Sequence, residues 1–213
     1  MKKKQGIFIS LEGIDGCGKT TLCNALKQAF SHTGQPLTCL REPGGTQISE
    51  AVRQILLNPA YTAMAPETEA LLYASARSQV CAEIIRPALE QGHLVLADRY
   101  TDSTLAYQGY GRGLSLDFLK TLSRLCTAGL QPGLTLLLDI DPKTAILRRS
   151  ERSPRQDRLE QEGLCFQEKI RNGYLSLAAE NPGRIILLDA SLPKGQLLQQ
   201  ALLHIEKYCQ ERK

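Results

Sequence analysis

Eight consecutive residues, Gly13, Ile14, Asp15, Gly16, Cys17, Gly18, Lys19 and Thr20, satisfy the spacing G-x-x-x-x-G-K-[ST]. The apolar run at 7–11 (IFISL) lies directly before them. Leu22, Ala25, Leu26 and Ala29 follow at helical spacing, and Gly34 and Pro36 stop that helix. A strand, a glycine turn and a helix in this order make a phosphate cradle. Glycines let successive backbone N–H groups turn inward around phosphate oxygens, and the helix N-terminus adds partial positive charge. Lys19 supplies a mobile ammonium and Thr20 a hydroxyl for magnesium. The ligand expected over Gly13–Thr21 is therefore ATP or GTP with Mg²⁺.

The rest of the chain repeats the pattern. Short apolar runs at 37–40, 94–97, 134–138 and 184–188 alternate with helical periodicity at 46–57, 67–91, 115–128, 142–150, 160–180 and 194–210. Near-continuous apolar strands between helices predict a parallel sheet covered on both faces. The expected class is α/β, a three-layer fold of the P-loop NTPase kind with five parallel strands flanked by helices. With 213 residues, no repeat and no linker, one domain spanning 1–213 is expected.

Composition narrows the setting. Net charge is +4, too mild to imply nucleic acid or a membrane surface, and no apolar run reaches a membrane span. Met1–Lys4 followed by an apolar stretch resembles a secretory leader, but Glu12 and Asp15 cut it short. Seven cysteines, with no C-x-x-C pair, suggest neither a disulfide framework nor a zinc site, and a reducing cytoplasm fits best.

An acidic residue at the end of a strand can hold magnesium beside the cradle. Asp98, closing HLVLAD, and Asp139, closing LTLLLD, both qualify. Asp98 is preferred because Arg99 adjoins it and can clamp phosphoryl oxygens. From 148 to 158 the chain holds five arginines around Glu151, Pro154 and Asp157, a pattern unsuited to a rigid buried helix. Such a segment (about 148–160) can act as a mobile lid that brings an arginine to the transferring phosphoryl group.

The strings EPGGT (42–46), LYASAR (72–77) and DRYTDSTLAYQGYGRG (98–113) carry a family resemblance: the chain resembles bacterial thymidylate kinases over nearly its whole length. From their chemistry alone, Arg53, Arg77 and Arg99 are forked donors suited to a phosphate or base carbonyl. Tyr73, four residues before Arg77, shares its helical face. The resemblance implies that MgATP phosphorylates dTMP and that the enzyme is a cytoplasmic homodimer. It further implies that Tyr73 stacks on thymine, Arg77 reaches the base carbonyl, and Thr104 and Gln108 contact the base edge. Arg53 and Arg99 would hold the acceptor phosphate, Asp15 the sugar 3′-hydroxyl, and Tyr107 would crowd the 2′ position, with Glu42 also on the substrate side. Where the cradle lacks arginine, as here with Gly16 and Cys17, the family's catalytic arginine comes from the lid. The lid departs from the commoner R-x-R-x-R-G spacing, so which arginine acts stays open, with Arg149 and Arg152 as the candidates. Lys19, Asp98 and Arg99 complete the expected catalytic set.

Overall fold

The computed structural model describes residues 6–152 and 157–212; the Arg152 side chain lies outside that description. Five strands, β1 (Ile7–Glu12), β2 (Leu37–Arg41), β3 (Leu94–Asp98), β4 (Leu134–Asp139) and β5 (Ile185–Asp189), form one parallel sheet in the order β2-β3-β1-β4-β5. The period-two geometry of a strand sends neighbours to opposite faces. Ile9 and Leu11 join Leu96, Leu136, the first-helix residues Leu22 and Leu26, and Ile170 and Leu177 in one buried cluster. Phe8 enters a second cluster with Val95, Ala97, Tyr100, Val80 and Ile85. Helices cover both faces, giving the expected three layers.

This strand order positions the site. The chain reaches β3 on one side of β1 and β4 on the other, so the connections diverge at the carboxyl end of β1 and leave a crevice there. The loop 13–18 fills the head of that crevice and runs into α1 (Lys19–Ser31).

Several helices match the sequence periodicity, with departures that have local causes. Thr46 caps α2 (Gln47–Leu57) by accepting from Ser49 N at 3.1 Å. The continuous helix expected over 67–91 is instead α3 (Pro66–Val80), a π-helical turn at Cys81–Ile85, and α4 (Arg86–Glu90). Pro87 has no N–H to give the preceding turn, and the widened turn precedes it. A helix absent from the periodicity reading, α5 (Thr101–Thr104), continues as a second π-helical stretch, Leu105–Gly111, ahead of α6 (Leu116–Thr127). Ser103, Thr104, Tyr107 and Gln108 line a cavity while Leu105 and Ala106 enter the core, which breaks the apolar period. Beyond β4, α7 (Pro142–Arg152) extends two residues past the expected end, and α8 (Leu164–Glu180) and α9 (Lys194–Gln210) complete the chain.

Candidate active site

Two glycines show why the loop has this composition. Gly13 has φ 137, and a Cβ there would sit 2.5 Å from the Leu138 carbonyl oxygen. Gly16 has φ 93, and a Cβ there would drive into the Ala145 carbonyl of α7. Neither position accepts a side chain. The loop curls around Lys19, which is 6 % exposed and whose ammonium donates to Gly13 O at 3.0 Å and Ile14 O at 2.9 Å. Thr20 Oγ1 donates to Asp98 Oδ2 at 3.0 Å, joining two hard oxygen ligands beside the loop. Asp139 is otherwise engaged, gripped at both oxygens by Arg171 at 2.6 and 2.8 Å.

Arg99, next along from Asp98, adopts φ 77, a left-handed conformation rare without glycine. The turn sends consecutive side chains to different jobs. Asp98 faces Thr20, while Arg99 reaches back to Gly13 O (3.0 Å), Asp15 Oδ1 (2.6 Å) and the Tyr107 hydroxyl (2.9 Å). Tyr107 Oη in turn donates to Asp15 Oδ2 at 2.8 Å. Burial opposes charge on Asp15, but the Arg99 and Lys19 cations and the Tyr107 hydrogen bond hold its carboxyl well below the usual range.

A cavity of about 650 Å³ opens over the loop, lined by residues 15–22, Asp98, Arg148, Arg149 and Leu197 among others. Next to it lies a smaller cavity walled by Tyr73, Arg77, Thr104, Tyr107, Gln108 and Leu159. Asp15, Glu42, Arg53, Arg99 and Asp157 line both. Arg53 Nη1 donates to Pro43 O at 2.9 Å. Arg77, 2 % exposed, donates to Glu42 Oε2 (2.6 Å), Thr104 Oγ1 (2.7 Å) and Tyr100 O (3.0 Å), leaving two of its five N–H groups for other use.

Arg149 differs from a solvated lid residue. It is 4 % exposed, its Nη2 donates to Glu160 O at 2.9 Å, and its Nε and Nη1 have no hydrogen-bond partner among the described residues. A buried guanidinium with unmet donors on the wall of a cavity calls for an anion. The expectation that 148–158 stays exposed therefore fails at Arg149 and at Arg158, which pairs with Glu69 at 2.5 Å. At Arg158 distant partners, Glu69 and the Leu56 carbonyl, make that burial possible. The other candidate, Arg152, has its side chain outside the described residues.

Three groups escaped the sequence reading: Glu12, Ser103 and Tyr174. Glu12 ends a strand that is otherwise almost wholly apolar, and that contrast was the available signal. It is fully buried and accepts from Tyr100 N (2.7 Å), Ser103 Oγ (2.6 Å) and Tyr174 Oη (2.8 Å); the two hydroxyls also take N–H groups from Arg99. Burial and the neighbouring Asp102 push the Glu12 carboxyl from 4.5 up to about 7. The unfolded chain releases that proton near 4.5 and the folded chain holds it to about 7, so the folded state binds more protons in between. Stability accordingly falls as pH rises through that window, by up to about 3 kcal/mol. Denaturant midpoints of wild type and Glu12→Gln at pH 5 and pH 8 measure this: the variant should lose that part of the slope, and an unchanged slope would exclude Glu12 as its source.

Comparison with known proteins agrees with the geometry. The family model described as "Thymidylate kinase" matches residues 11–201. The chain is similar to thymidylate kinase from Desulforudis audaxviator, 47 % identical over 97 % of this chain and 93 % of the relative. It is likewise similar to thymidylate kinase from Deinococcus radiodurans, 48 % identical over 91 % and 93 %. Among solved structures, thymidylate kinase from Ehrlichia chaffeensis superposes with TM-score 0.79 at 27 % identity, covering 94 % of this chain and 99 % of the other.

Proposed function

The chain belongs to the thymidylate kinase family and transfers a phosphoryl group from ATP to dTMP, giving ADP and dTDP; from that premise we propose how its residues share the work. The observation that carries the assignment is the shared wall. Asp15, Glu42, Arg53, Arg99 and Asp157 border both the cavity over the glycine loop and the smaller one beside it, and two of the five are arginines. In-line transfer requires the donor's terminal phosphate and the acceptor phosphate to meet, and the paired guanidiniums mark that place.

On this reading ATP lies along Gly13–Thr21, with backbone N–H groups and Lys19 on its phosphates. Lys19 leaves its carbonyl partners when phosphate arrives. Thr20 and Asp98 would hold Mg²⁺, and their convergence at 3.0 Å fits a cation that takes most of its remaining ligands from water and phosphate. Among the described residues no group of three or more His, Cys, Asp or Glu is placed to hold a metal ion. When bound, the ion neutralises charge on the phosphate oxygens. Arg99 bridges donor and acceptor, Arg53 holds the acceptor phosphate, and Arg149 supplies its unmet donors to the transferring group.

Tyr73, Arg77, Thr104 and Gln108 take the base, with Glu42 holding Arg77 in place. Asp15 and Tyr107 flank the sugar. Residues 1–213 act as one kinase domain whose lid covers about 148–160. Among the described residues no helix is long and apolar enough to cross a membrane. A homodimer through α3 and α6 is supported by exposed Leu71, Phe118 and Leu125 on those helices; a monomer in sedimentation velocity would remove that part.

The test is ADP formation from MgATP with dTMP, dUMP, UMP, AMP and thymidine in parallel. dTMP should exceed UMP and AMP by at least about 10²-fold in kcat/KM, and thymidine, with no phosphate for Arg53 and Arg99, should give no turnover above background. If every acceptor fails while ATP still binds, the acceptor assignments fall.

A further inference from the structure

Glu69, in the first turn of α3, is 1 % exposed, and both its oxygens are engaged. Oε1 accepts from Gln108 Nε2 at 2.9 Å and Arg112 Nε at 3.3 Å; Oε2 faces Arg112 Nη2 at 3.1 Å and Arg158 Nη2 at 2.5 Å. Burial opposes ionisation, but hydrogen bonds from Arg112 and Gln108 and the charges of Arg112 and Arg158 hold the carboxyl below its ordinary range. At neutral pH it is a carboxylate, which accepts hydrogen bonds and donates none.

That fact fixes Gln108. An amide has a donor end and an acceptor end of nearly the same shape, and only hydrogen-bond partners decide which way it points. Facing a carboxylate, the NH2 end must turn to Glu69. The carbonyl oxygen is then left for the cavity that Gln108 lines, and it has no hydrogen-bond partner among the described residues. On the same wall stands Arg77 with N–H groups to spare. The wall thus presents a donor beside an acceptor. A 4-keto pyrimidine offers the complement, a carbonyl oxygen next to N3–H. A 4-amino pyrimidine offers an amine next to a bare nitrogen, which is mismatched at both places.

We propose that Glu69, which touches no substrate, is a positioning residue that locks the Gln108 amide with its oxygen toward the base and thereby sets the preference for 4-keto over 4-amino pyrimidine nucleotides. The proposal rests on the reading that this cavity takes the base of dTMP. In Glu69→Gln, the new amide can either accept or donate, so Gln108 is free to turn over. The substitution also loosens Arg112 and Arg158, so lost rate alone says little; the selectivity ratio is the readout.

kcat/KM is measured for wild type and Glu69→Gln with dTMP and with dCMP. Wild type should favour dTMP, and the dTMP:dCMP ratio should fall at least about tenfold in the variant, part of the fall coming from a gain on dCMP. Equal losses on both substrates, with the ratio intact, would make Glu69 merely structural and overturn the proposal. A wild type without dTMP preference would overturn the reading of the cavity itself, which separates the two failures. Should Glu69→Gln not fold, Gln108→Leu carries the test. It should lose at least about tenfold on dTMP without losing on dCMP, and equal losses again overturn the proposal.

Discussion

Arg149→Ala is expected to lower kcat for dTMP phosphorylation by at least about 10³-fold while the protein keeps its fold. That loss corresponds to about 4 kcal/mol of transition-state stabilisation. Arg149 is buried on the wall of the cavity over the glycine loop, yet only its Nη2 is committed, to the Glu160 carbonyl. The two remaining nitrogens can meet charge that spreads over the transferring oxygens, which is why the loss should appear in kcat more than in the KM for dTMP. Removing one hydrogen bond to a carbonyl should shift stability by only about 1 kcal/mol, so thermal melting separates catalysis from folding. Arg149→Lys should recover only part of the rate, since an ammonium cannot present two parallel donors. A variant within about tenfold of wild type would move the role to another arginine of the lid, Arg152 first.

The second large effect is expected at Lys19. Lys19→Ala should reduce kcat by about 10² to 10³-fold, the range found when one preorganised donor to developing charge is lost. In the structure its ammonium bonds to the carbonyls of Gly13 and Ile14, within the loop it is expected to leave for phosphate. Alanine therefore also leaves those carbonyls without their cation, and part of the effect belongs to the shape of the loop. Lys19→Met keeps most of the stem but strips the carbonyls of their cation as alanine does, so thermal melting of both variants separates the two: a loss of kcat with the melting temperature kept assigns the effect to charge on the phosphates. Near-normal turnover in a folded Lys19→Ala protein would remove the loop from the reaction.

Much of this was legible in the sequence because strands and cradle are local. β1 through β5 lie within a residue or two of the apolar runs that announce them, and each ends where polar residues begin, at Glu12, Arg41, Asp98, Asp139 and Asp189. Asp98 could be preferred to Asp139 on its neighbour alone, and the ion pair with Arg171 gives the physical reason that Asp139 is occupied. Non-local partnerships were not legible. Arg158 looked solvated because its partner Glu69 lies 89 positions away, and Glu12 looked like the end of an apolar run until Ser103 and Tyr174 closed around it. The segment 101–111 defeated periodicity for another reason: with Thr104, Tyr107 and Gln108 turned to the cavity and a π-helical turn in its path, no single apolar stripe survives.

The close seat of Gly16 against Ala145 bears on how such an enzyme can change over evolutionary time. The resemblance implies an arginine from the loop or from the lid, and here the backbone of α7, the helix that carries Arg149, occupies the space any side chain at 16 would need. A lineage with this packing cannot exchange one source of arginine for the other at position 16 by a point mutation. The helix would have to be displaced first, and displacing it would carry off Arg149, the arginine proposed to act. The two solutions are separated by an intermediate lacking both, which gives this arrangement a means of persisting even where the alternative would serve equally well.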